Sequence, residues 1–233
     1  RRITAVHESS HAIAAMLMDE VEPLHKVSII SQGMALGMTM SLPEKDVYHL
    51  QKKKILGQIC LLLSGRAAGE EFCDDITTGA SSDLENATDL ARNMVCRWGM
   101  SEALGPVSYH EGEDTVFLGR EITRTRNHSE AMALRIDQEV RNIVVSQHER
   151  AKELIKTHSE AVKRLTEALM KHEILYRADV QKVMDGEDIG EPQTAKDGVE
   201  PGAEAGSPEG EATPPALPPK RPVAKKDKAE EGL

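Results

Sequence analysis

Residues 3–18 read ITAVHESSHAIAAMLM, and this stretch decides the fold. Ile3, Val6, Ile13 and Leu17 fall on nearby faces at helical spacing, and Ala12, Ala14 and Ala15 favour the helical state. Pro23 ends any continuation. The chain therefore opens on a helix, and that helix carries His7-Glu8-Ser9-Ser10-His11. Positions i and i+4 share one helix face, so both imidazoles can reach one metal ion. The glutamate at i+1 is displaced around the helix, close to the ion's open position. A zinc ion so held lowers the pKa of bound water to about 7, and an adjacent carboxylate can take the proton as a carbonyl is attacked. A surface helix with two solvated histidines shows the same pattern. Here apolar residues flank the motif on both sides, which favours burial of that face.

A catalytic zinc site usually has three protein ligands, so a third has to be found. The metzincin extension needs Gly at position 14 and His at 17, where Ala14 and Leu17 stand. A thermolysin-like Glu about 20 residues beyond the second His is missing too, because Ser28 to Gly33 holds no acid. The candidates are Glu70, Glu71, Asp74, Asp75, Asp83 and Glu85. Asp83 is the best placed, in the first turn of a helix after a Thr-Gly-Ala-Ser loop. Its bland alternative is to complement the helix dipole.

Outward from the first helix, His25 to Leu42 alternates weakly on either side of Gln32-Gly33 and predicts a hairpin or two short strands closed by Pro43. A helix from about Val47 to Glu71 turns Ile55, Ile59, Leu62, Leu63 and Ala67 inward. Ser82-Asp83-Leu84-Glu85 has the form of a capping box, and its helix keeps Leu84, Ala87, Ala91, Met94, Val95 and Trp98 at three- and four-residue steps. A mixed stretch runs to about Gly119. Helices follow over Ser129–His158, Ser159–Ile174 and Ala178–Met184. The expected fold is mainly α: a helical metallopeptidase domain over residues 1–188 with a small β-hairpin or edge strand, and a disordered tail over 189–233. Eight of 11 prolines lie in that tail, and apolar periodicity stops after Gly186.

Composition excludes several classes. The formal charge is −10, of which −3 belongs to the tail, with nine acids against six bases from Ile189 on. An acidic chain with six aromatic residues lacks the basic face and stacking rings of a nucleic-acid binder. Cys60, Cys73 and Cys96 are odd in number and form no C-x-x-C pair, which excludes a disulfide scaffold and a thiolate zinc site. The aliphatic run Ile59 to Leu63 is far short of the roughly 18 residues of a membrane helix. The chain opens on Arg1 and is read as a soluble piece of something longer. It holds no G-x-x-x-x-G-K-[ST] phosphate loop and cannot hydrolyse ATP by that route. Trp98 and Phe117 are expected in the core; His25, His110, His128, His148, His158 and His172 are expected in solvent.

Across about residues 1–185 the chain resembles the peptidase domain of the FtsH family, membrane-bound ATP-dependent zinc metalloproteases. The resemblance is carried by Arg1 to Glu8, His25 to Ile30, Ala35-Leu36-Gly37-Met38-Thr39, Thr77 to Leu84, Ala91 to Val95, Trp98 to Ser101, Leu104 to Pro106, Val116 to Arg120 and Ile136 to Val140. It implies that His7, His11 and Asp83 bind Zn2+ and that Glu8 is the base. It also implies a homo-hexamer, an ATPase ring and transmembrane helices ahead of the peptidase domain, at the inner face of the cell membrane. ATP would act only through that ring. Substrates would be unfolded or membrane polypeptides, which a strand around Ala35 to Met40 can bind by strand addition. Two departures stand out: Ser9-Ser10 where Ala-Gly is usual, and a changed run around Gly65 to Glu71. The rival readings are a catalytically silent scaffold of the same fold and a stand-alone, ATP-independent metallopeptidase.

Overall fold

Alanine and serine give α1 (Arg2–Leu17) a slim girth, and the rest of the domain closes around it. Every residue from Glu8 to Ala15 is buried. The computed structural model describes residues 1–31, 37–41, 50–73, 78–110 and 128–191. Within them the elements run α1, β1 (Leu24–Ser28), β2 (Met38–Ser41), α2 (Lys52–Phe72), a 3-10 turn (Thr78–Ala80), α3 (Ser81–Cys96), α4 (Glu130–Thr157), α5 (Ser159–His172), β3 (Ile174–Tyr176) and α6 (Arg177–Asp185). The chain is thus mainly helical with a small sheet. Residues 192–233 of the expected tail, residues 111–127 with Phe117, and Asp74 and Asp75 lie outside the described residues, while Ile189, the first residue of that tail, packs against the core.

One continuous core joins these elements. Helix α1 packs on α2 and α5, while α2 packs in turn on α3 and α4. The large buried side chains Ile13, Ile55, Ile59, Leu63, Met94, Ile155, Leu165 and Leu169 fill the space between them. Among the described residues no helix is long and apolar enough to cross a membrane.

The sheet has one strand more than the sequence suggests. Strand β1 pairs antiparallel with β2 and also with β3, in the order β2-β1-β3. The segment expected as the end of a helix reaching Ile174 leaves the helix at Glu173, whose φ of 65° is left-handed. Its carbonyl then accepts from Ile29 N at 2.9 Å and leads Ile174 into the sheet.

Other differences have local causes. Helix α2 begins at Lys52 rather than Val47, with Gln51 extended before it. The capping box at Ser82 does not form, because the 3-10 turn runs straight into α3 and leaves Ser82 inside the first turn. Helix α3 buries Ala87, Ala91, Met94 and Val95, but Leu84 and Trp98 are exposed at 36% and 38%. Trp98 leaves the core because the helix ends at Cys96, so its position no longer follows the helical phase. On α1, Ile3 and Leu17 at the two ends are likewise exposed.

Candidate metal centre

Helix α1 presents His7 and His11 one turn apart toward α2 and α3, and their Nε2 atoms are 3.1 Å from each other. Asp83, in the first turn of α3, brings Oδ2 to 3.1 Å from His7 Nε2 and 3.4 Å from His11 Nε2. Bonds of about 2.0–2.2 Å to zinc put tetrahedral donor atoms about 3.3–3.6 Å apart, so the three donors fit such an ion to within a few tenths of an ångström. Two imidazoles and one carboxylate suit its borderline softness. Among the described residues this is the one cluster of His, Cys, Asp and Glu with donors so convergent.

The neighbours orient the donors. His11 Nδ1 lies 2.9 Å from the Leu61 carbonyl and 3.1 Å from Ser64 Oγ. The Ser64 hydroxyl itself donates to Leu61 O at 2.7 Å. A proton on Nδ1 satisfies that carbonyl and turns Nε2 toward Asp83 and His7. Gly65 completes the cradle. A Cβ there would lie 2.3 Å from His7 Cε1 and 2.7 Å from His11 Nε2, so only a residue without a side chain lets α2 come this close.

Charge follows the same geometry. Burial pushes the Asp83 carboxyl up, but hydrogen bonds from His11 and His7, together with their charge, outweigh it and hold it well below the usual carboxylate range. Burial pushes His11 down, yet Asp83, the charge of Glu8 and the Leu61 carbonyl raise it overall. Each partner therefore favours the charged form of the other.

Glu8 is buried beside the two histidines, at 7% exposure, and Thr39 of β2 donates its hydroxyl to Oε2 at 2.7 Å. The two serines of the motif are also buried and partnered. Ser10 donates to His7 O at 2.6 Å, and Ser9 Oγ accepts from Thr166 of α5 at 3.3 Å. Their extra bulk over Ala-Gly is thus absorbed by hydrogen bonds to the same helix and to α5.

The remaining acidic candidates go elsewhere. Glu70 turns to α4, with His148 at 3.3 Å and Lys152 at 3.4 Å, and pairs with Arg66 at 3.2 Å on its own helix. Glu71 and Glu85 are exposed. His148 was expected in solvent but is half-buried against Glu70, because α4 lies across α2 there. His128, His158 and His172 are also only partly exposed, whereas His25 and His110 are exposed. Sequence reasoning missed Ser64 and Thr39 as partners of the site and the clearance at Gly65. A glycine inside an otherwise strong helical pattern was the available signal for Gly65.

Residues 1–183 match the model of peptidase family M41. The chain belongs to peptidase family M41. Among similar proteins, ATP-dependent zinc metalloprotease FtsH of Pseudothermotoga lettingae is 45% identical over 198 residues, 84% of this chain and 32% of that protein. The proteins of the same name from Myxococcus xanthus and Thermotoga maritima are 45% and 44% identical, each over 80% of this chain and 29% and 31% of their own lengths. The chain spans about a third of the length of these relatives.

Proposed function

We propose that this chain is the zinc endopeptidase part of an ATP-dependent, membrane-anchored protease, with His7, His11 and Asp83 as metal ligands and Glu8 as general base. The peptidase unit covers residues 1–188, and the tail from 189 takes no part in catalysis. The observation that carries the reading is the convergence of His7 Nε2, His11 Nε2 and Asp83 Oδ2 with a buried carboxylate one residue from the first ligand. The names of the relatives support zinc and the coupling to ATP. A hexameric ATPase ring in the longer protein, held on the inner face of the membrane, would deliver unfolded polypeptide.

Zinc at this site supplies a Lewis acid that polarises a carbonyl and activates water near neutral pH. His7 and His11 hold their lone pairs toward one point, the latter locked through Nδ1 by Leu61 and Ser64. Asp83 adds negative charge opposite them. Glu8 takes a proton from the attacking water and returns it to the leaving amide nitrogen, which frees the new amino terminus. Strand β2 is one of the sheet's two edges among the described residues, and its Thr39 touches Glu8. An extended substrate that pairs with β2 would lie beside the base.

The test is Glu8→Gln in the full-length protein. Zinc content and fold should be retained, while hydrolysis of an unfolded protein drops by about 100-fold or more. Near wild-type cleavage by that variant would remove Glu8 from the role of base.

A further inference from the structure

The carboxylate of Glu8 is held by one short segment of the chain. Thr39 pairs across β1 with Val27, which pairs in turn with Leu175 of β3. Val27 and Leu175 are buried, and directly opposed residues of neighbouring strands point to the same face. The β2 register therefore aims Thr39 inward, at α1. There its Oγ1 donates to Glu8 Oε2 at 2.7 Å and lies 3.4 Å from the Glu8 carbonyl oxygen. Two residues earlier, a Cβ on Gly37 would stand 2.6 Å from Oε1 and 2.8 Å from Cγ of Glu8. One oxygen is bound by a hydroxyl, and the other occupies space that any side chain at position 37 would take.

We infer that Thr39 is a positioning residue for Glu8, and that Gly37 provides the clearance in which the carboxylate lies. The inference rests on the reading of Glu8 as base. A buried carboxylate without a donor turns toward whatever donor or water it can reach. The Thr39 hydroxyl removes that freedom. It occupies Oε2 and leaves Oε1 to take and return the proton. Threonine suits the task because its branched Cβ restricts χ1 within a strand, so the hydroxyl is placed by the backbone.

The test compares Thr39→Val, which keeps the shape and loses the O–H, with Thr39→Ser, which keeps the O–H. In the full-length protein, Thr39→Val should lower kcat on an unfolded polypeptide by about 10-fold with KM and zinc content unchanged. Thr39→Ser should recover to within about threefold of wild type. A second readout needs no activity. In the metal-free protein, Thr39→Val should lower the melting temperature by about 2–6 °C, because Glu8 loses its donor, and should have no effect in a Glu8→Ala background. Equal loss in the Val and Ser variants, loss of zinc, or the same melting shift in both backgrounds would overturn the inference. If Glu8→Gln is inactive while Thr39→Val is fully active, positioning fails and the base survives. If Glu8→Gln is active, the base itself fails.

Discussion

Gly65 of α2 lies so close to His7 of α1 that an added Cβ would stand 2.3 Å from Cε1 of the ring. The contact is a ring against a helix backbone, so the rings or the helix must shift to admit a methyl group. Gly65→Ala should therefore displace the imidazoles even though alanine is the better helix former by about 1 kcal/mol. Zinc content by elemental analysis should fall well below that of wild type. Full zinc in this variant would show that α1 and α2 can separate at no cost.

Metal affinity itself should depend on each donor. His11→Ala and Asp83→Ala are each expected to lose most of the zinc from a wild-type stoichiometry of about one per chain. Stripping the wild type with a chelator should lower its melting temperature, since binding to the folded state alone adds stability. Full occupancy in His11→Ala would move the site elsewhere.

Glu70 gives a pH-dependent contribution to stability. Burial raises its carboxyl, but His148 and Lys152 outweigh that and lower it below the usual value of 4.5. A group depressed on folding stabilises the protein above its unfolded pKa, and the effect is lost as pH falls through the folded value. Glu70→Gln should melt about 1–3 °C below wild type at neutral pH, a small gap because the cluster is partly solvated. Melting curves from pH 7 down to pH 3 should show that gap closing below about pH 4.5. A gap that widens on acidification would contradict the assignment.

Cys60 should be chemically silent. It is fully buried, and burial pushes its thiol up to about 11. Only the thiolate reacts readily, so alkylation of native protein at pH 8 should reach the half-buried Cys73 first and leave Cys60 unmodified until denaturant is added. Mass mapping of the modified peptides decides the order.

Truncation after Gly190 should leave the melting temperature unchanged to within about 1 °C. The last described contacts near that point are exposed ones, Lys171 Nζ to Gly190 O at 3.4 Å and to Glu191 Oε1 at 3.7 Å. Such pairs contribute little. A clear drop would mean that residues beyond 190 dock on the domain.

The parts of the site legible in the sequence are those whose geometry is local. The one-turn spacing of His7 and His11 forces both rings to one face whatever surrounds the helix. Asp83 could be ranked by its place at a helix start, but its approach to the histidines depends on how α3 crosses α1 and α2, which no local pattern encodes. Thr39 reaches Glu8 through a strand register, and Gly65 reaches His7 through a helix-helix distance. Both are tertiary facts. In the fold, long helices with clear periodicity were readable, while β3 was too short at three residues to show alternation. Trp98 followed the period of α3 on paper, but the helix stops two residues before it.

The three donors are not equally secure. His7 and His11 belong to a helix whose residues from Glu8 to Ala15 are all buried, so the backbone that carries them stays in place while that helix stays packed. Asp83 belongs to the first turn of α3, where no side-chain cap closes the helix end. Helix ends fray at a small fraction of the cost of global unfolding. Heat or mild denaturant should thus unhook the carboxylate first, while both imidazoles are still in place. Wear in this centre has a preferred order, and an engineer who wants a longer-lived enzyme should cap that one turn before touching the core.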